Sequence, residues 1–161
     1  MLSRGIDNIC IEAATLEDLP QLTDLLLDLF SIEEEFTPDP EKQLAGLRLI
    51  LERPHLGRIF VLRSNKRIIG MVSLLITVST ALGGFALWLE DLIVHKDFRG
   101  VGLGSRLLSY AIDYAREKGF SRITLLTDCI APGTLSFYEK RGFVKSGMIP
   151  MRFKIDVSSK P

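Results

Sequence analysis

Two adjacent carboxylates, Glu90 and Asp91, interrupt the apolar run ALWLEDLIV at residues 86–94. A carboxylate inside such a run costs free energy to bury unless it is paired or lies in a solvated cleft. Proton transfer is the chemistry such a group suits. One of the two is therefore expected to line the site as a base, and the strand alone does not choose between them. An ion pair with Arg or Lys is the structural reading of either. In an extended strand alternate residues face opposite sides. Glu90 is then expected beside Trp88, Leu92 and Val94, and Asp91 beside Leu89 and Ile93.

The stretch DFRGVGLGSRLL, residues 97–108, follows at once. Glycines let a ligand approach the backbone, and the first N–H groups of a helix lack intrahelical partners. The helix dipole favours an anion there, and Arg99 can add a full positive charge. Two familiar phosphate patterns fail. A dinucleotide fingerprint G-x-G-x-x-G would need glycine where Ser105 or Leu107 stands, and a P-loop needs a Gly-Lys-Ser/Thr that is missing. Nucleotide hydrolysis is excluded on that ground. Taken alone, the loop reads equally well as a phosphate cradle or as a tight strand-to-helix turn.

A second stretch, GTLSFYEKRGF at residues 133–143, decides between them. Arg99-Gly100-Val101-Gly102-Leu103-Gly104 resembles the R/Q-x-x-G-x-G/A loop of the GCN5-related N-acetyltransferase (GNAT) superfamily. Phe137-Tyr138-Glu139-Lys140-Arg141-Gly142-Phe143 resembles that superfamily's F-Y-x-x-x-G-F segment. Both motifs stand in the family's order, with a helix and a strand between them.

The resemblance implies acetyl-CoA as co-substrate and a primary amine as acceptor, with direct attack of the amine on the thioester. It implies that the fourth and fifth strands splay apart. The pantetheine arm would pair with the backbone of Leu92, Ile93 and Val94. The pyrophosphate would rest on the N–H groups of Gly100, Val101, Gly102, Leu103, Gly104 and Ser105, beside Arg99. It makes Tyr138 the candidate general acid for the leaving thiolate, where bare sequence reads only a packed aromatic. It also favours Glu90 over Asp91 as base. One position departs from the family: Ala131 stands where many members carry an Asn six residues before the Phe. A non-catalytic CoA-binding module that keeps the fold is the competing reading.

Other chemistry-bearing residues read more plainly. Glu33, Glu34 and Glu35 could attract a cationic amine, though such a run is ordinarily a solvated helix end. His55 and His95 have no partners at metal spacing and read as surface residues, so no metal is expected. Cys10 and Cys129 belong to no CxxC pair, and Cys129 reads as a structural thiol. This cysteine usage fits a reducing cytoplasm.

The elements that must position these groups follow from periodicity. A strand is expected over Ile9–Ala13. Thr15 then caps a helix, with Asp18 in its first turn and Leu16, Leu19, Leu22, Leu26 and Leu29 on one face. Asp39 and Pro40 open a second helix carrying Leu44, Leu47 and Leu51, stopped by Pro54. Strands are expected over Arg58–Arg63, Arg67–Val78 and Phe85–Val94. A helix then runs from the glycine loop to Lys118, with Gly119 as its C-cap. Ile123–Thr127 reads as a strand, Pro132 opens a short helix ending at Gly142, and Met148–Val157 reads as a last strand. The result is an α/β domain with a central mixed sheet and about four helices, the GNAT-like fold, spanning residues 1–161 as one domain.

Composition limits the partners. Lys plus Arg and Asp plus Glu both number 20 among 161 residues, which leaves no basic surplus for nucleic acid. The run from Ile68 to Leu89 has no charged residue and is long enough to span a membrane. Ser79, Thr80, Gly83 and Gly84 break it, so a hairpin of two buried strands is expected instead. The N-terminal run MLSRGIDNIC lacks an apolar core of signal-peptide length, and the protein is expected in the cytoplasm. Met148, Met151 and Phe153 could serve a homodimer contact.

Overall fold

A computed structural model describes residues 8–33, 35–128 and 132–158. The chain divides into two units, the first ending at Thr127 and the second beginning at Asp128.

The first unit is built on a sheet in the order β1 (Ile9–Ala13), β2 (Gly57–Ser64), β3 (Arg67–Ser79), β4 (Gly84–Val94) and β5 (Ile123–Leu125). The first four strands pair antiparallel, and β4 pairs parallel with β5. The uncharged run at residues 68–89 is the β3–β4 hairpin, turned at Gly83 with φ 70°. No helix among the described residues is long and apolar enough to cross a membrane. The parallel pair is joined, as a crossover requires, by a helix, α3 (Leu103–Glu117).

Alternation along the strands sends side chains to two layers. Ile59, Val61, Met71 and Ile93 form one core with Leu19, Leu22, Leu25 and Leu26 of α1 (Leu19–Ile32) and Leu47 of α2 (Pro40–Glu52). On the other face Phe60 meets Tyr110 and Tyr114 of α3, with ring centroids 5.0 and 4.9 Å apart. The caps are local chemistry. Asp39 accepts a bond from the Lys42 N–H at the start of α2. Gly119, at φ 76°, closes α3 through bonds from its own N–H to Arg116 and from Phe120 to Ala115, a Schellman motif.

The structure departs from expectation in three places. Thr15 caps a short 3-10 turn at Leu16–Asp18, and α1 begins only at Leu19, which tolerates Pro20 early in the helix. Leu16 is therefore exposed and not on the helix face. Asp18 is buried and paired with Arg63 of β2, which also meets Glu12 of β1. That ion pair explains the turn's position better than capping alone. The fifth strand stops at Leu125, two residues short of Thr127. Met148–Val157 forms no strand. Its apolar residues alternate with Arg152, Lys154 and Asp156, but alternation supplies no hydrogen-bonding neighbour, and the described ladders run from β1 to β5 only.

The second unit holds α4 (Pro132–Glu139) and the segment after it. Gly142, at φ 90°, ends the helix with bonds from its N–H to Glu139 and from Phe143 to Tyr138. The glycine and second Phe of the FYEKRGF motif thus form another Schellman cap.

Candidate active site

The carboxylate pair sits on a break in β4. Ser73 of β3 pairs with Glu90, yet the next pair in register is Met71 with Ile93. Three steps along β4 match two along β3, so β4 carries one extra residue, a β-bulge. Asp91 takes the left-handed conformation, φ 54°, which Asp accepts more readily than most residues. The extra residue corrects the facing expected from alternation. Glu90 does not share its side with Val94. It shares it with Ser73, Met71 and Ile93, on the face that α1 and α2 cover.

The described pairing with β5 stops just before the bulge. Leu87, Trp88 and Leu89 pair with Ile123, Thr124 and Leu125, and the ladder goes no further. Among the described residues, Glu90 to Val94 run on without a β5 partner. Leu92, Ile93 and Val94 lie on this stretch, with the Ile93 side chain buried and those of Leu92 and Val94 half-buried.

The strand leads through a short 3-10 turn, Lys96–Phe98, into the glycine loop. Arg99 donates from Nε to the Val94 carbonyl at 2.7 Å, tying the loop back to the strand end. Gly100 and Gly102 have φ of 78° and 83°, and a Cβ on either would meet nothing within 4 Å. These glycines are there for backbone conformation and open access, not for tight packing. Gly102 is the N-cap of α3 and has no side chain to bond the first turn. The first intrahelical bond runs from Arg106 to Gly102, so the N–H groups of Leu103, Gly104 and Ser105 lie ahead of it. Leu103 anchors the turn in the core while Val101 is exposed. These N–H groups lie at the positive end of the helix dipole.

Electrostatics single out one carboxyl. Burial pushes Asp91 from its ordinary 3.8 up to about 7, helped by the negative charges of Glu90 and then Glu33. Glu33 follows α1 directly as its C-cap. Glu90 is exposed. The Ser73 hydroxyl, opposite Glu90 in register, is fully buried and has no hydrogen-bond partner among the described residues.

Tyr138 belongs to the second unit, on α4, stacked edge-on with Phe137 and Phe143 at 5.0 and 5.6 Å. Cys129, Ala131 and Glu34 lie outside the described residues. His95 is more than a surface residue. Its side chain is 19% exposed, its Nδ1 accepts the Asp97 N–H, and its ring packs on Phe98. Sequence reasoning missed Ser73 and the individual placement of Glu33. A lone serine in an apolar strand and one glutamate of three carry no positional signal.

The profile of the Acetyltransferase (GNAT) family matches residues 19–143. The chain is 33% identical over 82 residues to an uncharacterized N-acetyltransferase, ycf52, of Pyropia yezoensis, covering 51% of this chain and 42% of that one. It is 34% identical over 87 residues to glucosamine 6-phosphate N-acetyltransferase of Trypanosoma brucei brucei, covering 53% and 57%. The chain thus spans about half the length of these relatives. Among solved structures, a possible acetyltransferase from Clostridium difficile 630 superposes with TM-score 0.84 at 17% identity, over 92% of this chain and 99% of that one. A transcriptional regulator from Bacillus halodurans C-125 superposes with TM-score 0.78 at 28% identity, over 92% and 100%.

Proposed function

Because the chain belongs to the acetyltransferase (GNAT) family, we propose that it moves the acetyl group of acetyl-CoA to a primary amine by direct attack in a ternary complex. The observation that carries this reading is the continuity of the open β4 edge, Glu90 to Val94, with the uncapped start of α3. One path of backbone donors and acceptors then suits a long arm ending in a pyrophosphate.

Acetyl-CoA supplies an acyl group on a thiol leaving group. The backbone of Leu92, Ile93 and Val94 holds its pantetheine arm as a neighbouring strand would be held. The N–H groups from Gly100 to Ser105 hold its pyrophosphate, with Arg99 adding positive charge at the loop. No step in the chemistry needs the loop's side chains.

An ammonium has no lone pair with which to attack, so the acceptor must lose a proton first. Asp91 accepts it, and Glu90, itself exposed, passes it through water to solvent. A base that titrates near 7 is ionised for about half the time at neutral pH and still holds a proton well, which suits general-base work. The base form fills as pH rises, so kcat climbs through roughly pH 7 and levels off above it. Tyr138 donates a proton to the departing sulfur and is restored by the second proton, which the nitrogen sheds as the amide forms. The phenol's position in the FYEKRGF motif supports that role. A small-molecule amine is favoured over a peptide, and the name of the trypanosomal relative is in keeping with that.

Tyr138→Phe keeps the ring packing and removes the hydroxyl. It is expected to lower kcat by roughly 10²-fold while leaving acetyl-CoA affinity in place. Steady-state thiol release together with calorimetry checks both quantities, and an unchanged kcat removes Tyr138 from the mechanism.

A further inference from the structure

A cleft of about 460 Å³ opens at the end of the sheet from which the glycine loop departs. Its walls include Gln21 in the first turn of α1, Asn65 and Lys66 in the β2–β3 turn, Arg67 at the start of β3 and Phe98 at the end of the 3-10 turn. That volume is in the range of small-ligand sites. No acid stands among the described residues that line it.

Lys66 and Arg67 are adjacent and exposed. Among the described residues neither pairs with a carboxylate. An exposed cation alone needs no partner, since water solvates it. Two on one concave wall raise the positive potential inside it.

The wall is also set in advance. The Arg67 guanidinium lies 5.2 Å from the centre of the Phe98 ring, and its Nη2 lies 3.2 Å from His95 Nε2. Its other N–H donors keep their planar fork for an oxyanion. Gln21 Nε2 donates to the Lys66 carbonyl at 3.1 Å, and Gln21 Oε1 accepts the Ile68 N–H at 2.8 Å. Those two bonds clamp the turn to α1. Asn65, at φ 55°, brings an exposed amide to the same wall. A site ordered before its ligand arrives loses less freedom on binding.

We infer that this cleft is a second anion site and takes a phosphomonoester, with Arg67 gripping two oxygens as a fork and Lys66 answering the remaining charge. A carboxylate brings one charge to two cations, whereas a phosphomonoester near neutral pH brings close to two. The glycine loop differs in kind, since it offers backbone N–H groups and this cleft offers side-chain cations. Two sources share the chemistry. One is a free phosphomonoester. The other is the 3′-phosphate of acetyl-CoA, because Phe98 directly precedes Arg99 of the glycine loop. Only the second source rests on the acetyl-CoA reading.

Calorimetry at low salt with inorganic phosphate, acetyl-CoA and acetyl-dephospho-CoA, which lacks the 3′-phosphate, tests the site. If the source is free, inorganic phosphate binds, and Arg67→Gln and Lys66→Gln each weaken it about tenfold or more while Gly102→Val leaves it in place. Added salt should weaken it too. If the source is the cofactor, acetyl-CoA binds about tenfold or more tighter than its dephospho form, and either substitution removes that difference. The Lys66 side chain is exposed, so Lys66→Gln serves if Arg67→Gln fails to fold. Equal binding of the two cofactors with no phosphate binding overturns the site. So does phosphate binding, or a preference for the 3′-phosphate, that survives both substitutions. Acetyl-CoA binding with no transfer to any amine overturns the acetyl-transfer reading and leaves the cleft standing.

Discussion

Asp91→Asn is expected to lower kcat by roughly 10²-fold or more and, at pH 8, to give a protein that is more stable than its parent. The two effects have one source. Asp91 holds its proton in the folded chain up to about pH 7, whereas its ordinary value is 3.8. Between those values the folded state binds more protons than the unfolded state, so stability falls as pH rises across that window. Above it, the full cost of the buried charge remains, on the order of a few kcal/mol. Asparagine carries no charge and accepts the left-handed backbone that Asp91 adopts at φ 54°. The variant should therefore melt higher than the parent at pH 8, and the gap should close as pH falls toward 4. The rise of kcat through pH 7 should vanish with it. Thermal melts at several pH values and a pH–rate profile read the two halves separately. A variant that keeps both its kcat and the parent's acidic limb would assign the proton transfer to Glu90 instead.

Gly102 should show the largest effect on acetyl-CoA affinity. Gly102→Val places a β-branched residue at φ 83°, a conformation that costs roughly 1–2 kcal/mol, and fills the cradle from inside. No protein atom lies within 4 Å of the added Cβ, so a direct clash within the protein is not the cause. Affinity is expected to fall at least about tenfold as the side chain excludes the pyrophosphate from the helix N–H groups. Gly102→Asn separates blocking from strain, since Asn tolerates the left-handed region yet still adds bulk. Gly83→Ala supplies the converse control. Alanine would be strained at φ 70° in the β3–β4 turn, outside the glycine loop, so this change should lower stability without touching affinity. Calorimetry on the three folded variants gives the answer, and unchanged affinity in Gly102→Asn and Gly102→Val would remove the cradle.

The elements that could be read in advance are those whose determinants are local. Asp39 with Pro40 marks the start of α2, and Gly119 marks the end of α3, because each satisfies backbone groups within a few residues. The glycine loop and the FYEKRGF segment were legible for the same reason. Their glycines answer positive φ values at Gly100, Gly102 and Gly142. The bulge was not legible. One extra residue in β4 leaves composition and hydrophobicity unchanged, and only the register against β3 reveals it. It nonetheless decides which face Glu90 shares. Glu33 was hidden among its neighbours, since a run of acids looks solvated until a helix end is placed over a strand. Ser73 gave no signal at all. Met148–Val157 erred in the opposite direction, a clear alternating pattern with no ladder in the described residues.

Acetyl-CoA held by the β4 edge and the glycine loop for transfer to an amine is tested most directly by incubating the protein with acetyl-CoA and an amine library, with acetylated products detected by mass. The library should cover polyamines, amino acids, aminoglycosides and N-terminal peptides. The expected result is a product heavier by one acetyl group, formed in step with free thiol and lost in Asp91→Asn. Tight acetyl-CoA binding with no acetylated amine anywhere in the library would contradict the account and leave a CoA-binding module in its place.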